Sequence, residues 1–526
     1  MRLSHNKITL FSFGVLIIML SALSSLYVEA SGDNLRLNQT NYTPTYYVGQ
    51  ENCDDDGDGT QDNPFCTVQT GLDMLEAGDI LMILDGVYEE RVYLTNSGTE
   101  NNPIVVIGES HNAIIDAGCP DYPCDESIIL AGEQFVNEDD DNEPIYDGFF
   151  IGWSEYITLD GFTVRNAPVH GIEIVKTTGV TIQNMSVQNA SLSVVNVYDS
   201  YDFKLLNNDL GGGNLGRTTQ EGITIHLTHE EAVSIVNIDG FEIANNHLHD
   251  SFKEGFTIKV GSRNGTVRHN VVERLCAIGI YLDEAHDVDV FGNTVSEIGF
   301  IRNNMSSIGA RADETQRCDE TLTGTLVFQP DWGDDPADPK YQQEGLGFEP
   351  GNGIMLSVGD LDEGLITGQL YNVNIYQNII HNINVGCLVL WDELRETGER
   401  APGTLTNVKI YNNTLYNCAR SREEWGPAII LDESSDGVEI YNNIIALASD
   451  SIDNYGATNI TISNNLFFQA GDQLGEHSVN ADPMFVDPEA VDFSLQPGSP
   501  AIDTGINVGL SYTGGAPDIG ANESNP

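Results

Sequence analysis

Between Glu221 and Ile298 one pattern of apolar and polar positions occurs three times: Gly222-Ile223-Thr224-Ile225-His226, Gly255-Phe256-Thr257-Ile258-Lys259 and Gly279-Ile280-Tyr281-Leu282-Asp283. The first and third positions after each glycine are large and apolar, whereas the second and fourth are not. A period of two describes a strand with one buried and one outward face. A second short β-rich piece and an asparagine turn follow each phrase, at Asn245-Asn246, Asn270 and Asn293. Short strands recurring at intervals of roughly 20 to 35 residues predict coils stacked on coils, an all-β parallel β-helix or solenoid.

The same reading extends along the chain. First strands are expected at Gly171, Val194, Gly222, Gly255, Gly279, Gly353, Gly386 and Ala428. Turn asparagines recur at Asn184, Asn207, Asn245, Asn270, Asn293, Asn378, Asn412, Asn442 and Asn464, and an asparagine at the same left-handed turn of every coil predicts a structural ladder. Insertions interrupt the coils at 211–220, 299–351, 393–405 and 419–426. The expected organisation is a signal peptide at 1–30, a capping region with first coils at 31–155, regular coils at 156–475 and a closing segment at 476–526.

Charge and cysteine usage narrow the setting. Eighty acidic residues against 22 basic ones give a formal charge of −58, which excludes nucleic acid and anionic membranes as partners. Arg2 and Lys7 precede an apolar run from Ile8 to Val28, and Val28-Glu29-Ala30 suits signal cleavage, so the chain is expected to be secreted, extracellular or periplasmic, with no membrane contact afterwards. In an exported chain the eight cysteines should pair, with Cys53–Cys66, Cys119–Cys124, Cys387–Cys418 and Cys276–Cys318 as the pairings expected. Asp54, Asp56, Asp58 and Asp62 alternate around Gly57 as a calcium loop would, although the final glutamate of an EF-hand is missing.

Parallel coils put equivalent residues about 4.8 Å apart, so the outward columns of the first strand can be written down. One holds Glu173, Thr257, Tyr281 and Met355; the other stacks His226, Lys259 and Asp283. Five cations, Lys253, Lys259, Arg263, Arg268 and Arg274, lie close together in a very acidic chain, and Arg217 sits on an insertion nearby; such a grouping suits an anionic ligand. Trp391 offers a ring that a sugar can stack on.

Two resemblances add to this. Pro64-Phe65 with Thr67-Val68-Gln69, Gly78-Asp79 and Gly86-Val87-Tyr88 resemble the N-terminal cap of secreted right-handed parallel β-helix proteins of the pectate-lyase superfamily. That resemblance implies a right-handed solenoid with a capping helix, placed here at Thr67 to Glu76. The segment from Ala481 to Glu523 resembles the closing segment of the same proteins and is expected to seal the far end. Over a shorter stretch, Glu254, Lys259, Arg263-Asn264 and Asn270 resemble a coil of chondroitinase B and related alginate lyases, implying Lys259 as base and Glu254 as a Ca²⁺ ligand. Where those enzymes carry an Arg-His pair, this chain has Tyr281-Leu282-Asp283-Glu284.

The expectation is a monomeric polysaccharide lyase that binds an extended acidic polysaccharide and cleaves it by β-elimination. Lys259, His226, Tyr281 and Asp283 form the catalytic set. Lys253, Arg263, Arg217, Glu173 and Trp391 contact substrate. Ca²⁺ is expected at Glu254 and Asp283, and structurally at Asp54, Asp56 and Asp58. The alternatives are a noncatalytic glycan-binding or structural surface protein, and a glycoside hydrolase using paired carboxylates.

Overall fold

A computed structural model of the chain describes residues 42–118, 146–213, 231–251, 253–299, 351–358, 368–391, 404–418 and 427–524, and the backbone of five further short strands. Within the compact unit Pro44–Pro526, three long parallel sheets of 11, 14 and 13 strands run through the described residues. Each coil supplies one strand to each sheet in turn. Phe256–Lys259, Arg263–Arg268 and Val271–Leu275 make one coil, and Ile278–Asp283, His286–Phe291 and Thr294–Ser296 make the next. The three sheets are called first, second and third here in that order.

The alternation read from sequence is the alternation of burial. Phe256, Ile258, Ile280 and Leu282 point into one continuous apolar core, with no exposed surface. The repeated glycine has a packing cause: a Cβ on Gly255, Gly279 or Gly353 would lie 2.2, 2.6 or 2.5 Å from a carbonyl oxygen of the next coil. The helix is shorter than expected, Val68–Asp73. Thr67 is its N-cap, and Val68 and Leu72 join the core beside the first strands of the stack.

The asparagine ladder is present one residue further along than most of the expected positions. Asn208, Asn246, Asn270, Asn293, Asn378, Asn413, Asn443 and Asn465 stack at the corner between second and third sheets, all but inaccessible to water. Each side-chain oxygen from Asn246 to Asn465 accepts the backbone N–H and the side-chain amide of the asparagine one coil before, as Asn270 does from Asn246 at 2.9 and 3.0 Å. The series ends on Ser478. The residue preceding each ladder asparagine is left-handed, as at Asn207 (φ 57°), Asn245 (φ 57°) and Gln377 (φ 53°). The sequence list mixed these two roles: Asn184, Asn207, Asn245, Asn412, Asn442 and Asn464 are turn residues, whereas Asn270, Asn293 and Asn378 are rungs.

From Gly161-Phe162 onward, two residues separate second from third strand at every turn of this corner. Long connections leave only elsewhere. Those spanning 117–148, 212–232, 297–351 and 417–426 run from a third strand to a first, and those at 358–369 and 391–404 run from a first strand to a second. All six therefore start or end at an edge of the first sheet.

Two disulfides match the sequence pairing, Cys53–Cys66 and Cys387–Cys418. Cys276 is also disulfide-bonded; Cys318, Cys119 and Cys124 lie outside the described residues, as do 1–41. The closing segment was expected at the far end of the stack, but much of its apolar surface lies against the side. Phe485, Phe493, Ala501 and Ile519 cover the outward Ile444, Ala446 and Leu466 of the third sheet.

Replacing Asn378 by alanine should cost about 3 kcal/mol of unfolding free energy in denaturant titrations, because buried donors and acceptors on both sides lose partners. Asn245→Gly, at an exposed left-handed turn, should stay within about 0.5 kcal/mol of the parent. Similar costs at the two sites would refute the ladder as a stabilising element.

Candidate active site

The outward face of the first sheet carries the residues singled out in sequence. Register places Thr257 beside Tyr281 and Lys259 beside Asp283 on adjacent coils. The coil before differs from expectation. Its first strand is Val233–Val236, paired to Phe256–Lys259, and not Ile223–Leu227. The latter pairs with Arg217–Gln220 and Thr325–Phe328 in a separate three-stranded sheet. His226 is thus removed from the Lys259 column; it sits opposite Arg217 in an antiparallel pair, and both side chains lie outside the described residues.

The corrected register brings in a residue that the sequence reading missed. Glu231 precedes Val233–Val236 and aligns with Glu254 of the next coil, whose carbonyl accepts the Ala232 N–H at 2.9 Å. Lys259 Nζ donates to Glu231 Oε1 at 3.0 Å. Lys259 lies near the end of its strand and Glu231 before the start of the neighbouring one, so the lysine side chain runs back across the face. Beneath it the floor is small and polar, Ser234 and Thr257, both buried. Burial alone would raise the Glu231 carboxyl, but the Lys259 and Lys253 ammoniums outweigh it and hold it at about 2. Its second oxygen, Oε2, is buried without a hydrogen-bond partner. The lysine side chain keeps 25% of its surface exposed against 6% for Glu231, so the base faces solvent and the acid lies beneath.

Beyond Thr257 the floor turns apolar. Tyr281, Met355, Val389 and Ile430 form an outward cluster separate from the core, with Trp391 packed against it. Trp391 also meets Tyr455 edge to face at 6.2 Å.

The five clustered cations do not form one patch. Lys253 and Lys259 act together on Glu231, whereas Arg263 and Arg268 lie on the second sheet, paired to Asp239 and Glu242. Arg274 is on the third sheet, bonded to Asp250 at 2.9 Å. Residues close in sequence were spread around the solenoid because one coil turns through all three faces. The N-terminal acidic loop uses its carboxylates as turn acceptors: Asp54 takes the Asp56 N–H at 3.1 Å, and Asp58 takes the Thr60 hydroxyl at 3.0 Å.

Glu173 lies in a second constellation on the same sheet, with Asp147 and His170. His170 Nδ1 is 2.9 Å from Asp147 Oδ1 and 3.6 Å from Glu173 Oε2. Burial first, and the Asp147 charge second, push Glu173 up to about 8. Burial acts the same way on Asp147, but hydrogen bonding and charge from His170 keep it below the ordinary carboxylate range. The set is three coils from Lys259, which is about 14 Å at the strand spacing of a sheet.

Residues 46–274 match the family described as Pel9A-like, right handed beta helix region, a span that contains Glu231 and Lys259. Over that span the parallel sheets are accordingly those of a right-handed β-helix. The uncharacterized protein YwoF of Bacillus subtilis (strain 168) is 23% identical over 561 aligned residues, covering 92% of this chain and 98% of that one. Among solved structures, pectate lyase Pel9A aligns with a TM-score of 0.48 at 15% identity, over 91% of this chain and 96% of its own. PfbA, a surface adhesin of Streptococcus pneumoniae, aligns with a TM-score of 0.41 at 14% identity, over 79% and 89%.

Folded Glu173 keeps its proton up to about pH 8, whereas an ordinary glutamic acid loses it near 4.5. Its contribution to stability is complete below the lower value and is lost as pH rises through the upper one. The melting temperature of Glu173→Gln relative to the parent should therefore climb between about pH 5 and pH 8.5. A difference that stays flat with pH would reject this protonation state.

Proposed function

We propose that this chain is a secreted polysaccharide lyase that cleaves a uronate-containing polymer by β-elimination along the first sheet, with Lys259 as the base. What carries the reading is the Lys259–Glu231 pair: an amine held over a small polar floor, on the face flanked by all the long connections, within a Pel9A-like β-helix. In the reaction Lys259 Nζ takes the proton from C5 of a uronate, the released electron pair makes the C4–C5 double bond, and the C4–O bond breaks. The departing oxygen is protonated by the Tyr281 hydroxyl, one coil on and one column over, with His226, on the insertion before Glu231, as the second candidate acid. A lysine is a base only with its nitrogen lone pair available, so entry of the polymer has to separate Lys259 from Glu231 and the ammonium has to release one proton to solvent before it takes the one from C5.

Positive charge on the uronate carboxylate is the other requirement. Lys253 supplies some, with Arg217 on the adjoining insertion and Trp391 further along for stacking. An oxygen-seeking cation such as Ca²⁺ has one anchor here, because Glu231 has a buried oxygen without a partner next to the Glu254 coil. Glu231 and Glu254 are the residues that would hold the ion, and its chemistry would be to draw charge from the carboxylate and acidify the C5 proton; Asp283, expected as a ligand with Glu254, pairs in register with Lys259 at the opposite end of the strand and is too far from Glu254 to share it.

Glycoside hydrolysis by Asp147 and Glu173 is disfavoured by geometry. The two carboxyls both close on His170 Nδ1, which fills the space where even a retaining glycosidase, with its pair about 5 Å apart, admits the sugar.

The test is ultraviolet absorbance from new unsaturated uronate while the purified protein meets a panel of polyuronates and glycosaminoglycans. An increase is expected on at least one polymer. Lys259→Ala should lower kcat by about 10²- to 10⁴-fold. Chelation should suppress the activity, and Ca²⁺ should restore it. An unaltered rate in Lys259→Ala would remove the assigned base, and no product on any polymer would leave a glycan-binding surface as the better account.

A further inference from the structure

On the outward face of the third sheet, away from the Lys259 site, Asp209 and His247 are register partners on adjacent strands, and His249 lies two residues on, opposite Gly211. The two imidazoles stack with centroids 4.4 Å apart and converge on one atom. His247 Nδ1 is 3.1 Å and His249 Nε2 3.3 Å from Asp209 Oδ1. The ring nitrogens that point away are each held by another carboxylate, His247 Nε2 by Glu273 at 3.0 Å and His249 Nδ1 by Asp250 at 2.8 Å. Arg274 ties those carboxylates together, bonding Asp250 through Nε at 2.9 Å and pairing with Glu273. Gln188 donates to Asp209 Oδ2 at 3.2 Å. Gly211 makes room for the ring, since a Cβ there would lie 2.6 Å from His249 Cε1.

We infer that Asp209, His247 and His249 form a binding site for a divalent transition-metal ion of the Zn²⁺ class. Three features point to it. The ligand atoms already lie within 4.8 Å of one another, and the two contacts to Asp209 match the edge of about 3.3 Å that a tetrahedron with 2.0–2.1 Å bonds requires. Each histidine has its outer nitrogen fixed by a carboxylate, the arrangement that orients imidazoles toward zinc. The set is mixed nitrogen and oxygen, which suits zinc, nickel or copper and not calcium. Asp209 and His247 are 42% and 41% exposed, so solvent reaches the site and water can complete the coordination. The ion would join the two coils between which the 212–232 connection leaves the solenoid, clamping the base of that insertion.

Isothermal titration of ZnCl₂ into the chelator-treated full-length protein tests this, with the melting temperature as a second readout. One tight equivalent and a higher melting temperature are expected, with no competition from excess Ca²⁺. His249→Gln and His247→Gln should each weaken the tight event by roughly tenfold or more, whereas Glu273→Gln, which meets His247 at its outer nitrogen and not at the ligating one, should weaken it less. Co²⁺ bound at the same site should give the visible absorption of nitrogen-ligated tetrahedral cobalt, lost in the double histidine variant. Zinc uptake unchanged by both histidine substitutions, or displaced by Ca²⁺, would mean scattered binding to surface carboxylates and would overturn the site. Because the site lies on another sheet, lyase activity and zinc binding succeed or fail separately.

Discussion

A buried asparagine amide is costly unless its donors and acceptor are all used, and the ladder uses them. Asn378, for example, gives its two side-chain N–H groups to Val290 O and Asn413 Oδ1, while its own oxygen takes two N–H groups from Asn293. A rung displaced by one residue would break bonds on the coils either side. The constraint holds across long gaps in sequence: Asn293 and Asn378 are 85 residues apart yet bonded as closely as neighbouring rungs. The stacked rings of Phe291, Tyr376 and Tyr411, 4.8 and 5.0 Å apart, follow the same coils on the second sheet.

A corner locked at two residues cannot accept insertions, so added chain is confined to the other two corners, and these are the two edges of the first sheet. The face between them is where a ligand would meet chain that varies in length while the floor stays fixed by the core behind it. Inward positions such as Phe256 and Ile258 are committed to packing. Outward positions carry no such duty, and there Thr257, Lys259 and Asp283 stand next to one another. The third sheet differs along its length. Its last coils are covered by the closing segment, whereas the earlier coils that carry Asp209, His247 and Glu273 remain open to water.

Much of this is legible in the sequence. Period-two alternation, the recurrent glycine and the regular asparagines define coils, and the stacking of Lys259 on Asp283 follows from counting two phrases. The reading went astray at Gly222, because alternation reports that a strand has a dry side without saying which sheet supplies it. Ile223–Leu227 alternates as well as a coil strand does, and Val233-Ser234-Ile235-Val236 was overlooked. Glu231 was lost with it, since its place beside Glu254 exists only in the right register. The Asp209 cluster was out of reach for another reason. Its members are separated by up to 40 positions, on strands whose outward sides looked like ordinary solvated turns and pairs.

Under the proposed function a polymer of uronates approaches a chain with a net charge of −58, whose overall repulsion opposes it. Screening changes the scale of the problem: at 0.1 M salt a charge is felt over about 10 Å, so a bound sugar senses the few groups around it and not the total. On the first sheet that local balance sets Lys253 and Lys259 against Glu231, Glu254 and Asp283. In the resting protein each lysine charge is partly spent on Glu231, which leaves little for an incoming carboxylate. A polyanion can gain from the pair only if something else neutralises Glu231 at the same moment. For the proposed reaction, the call for a cation at this face therefore comes from counting the charges around Lys259, independently of any resemblance to lyases.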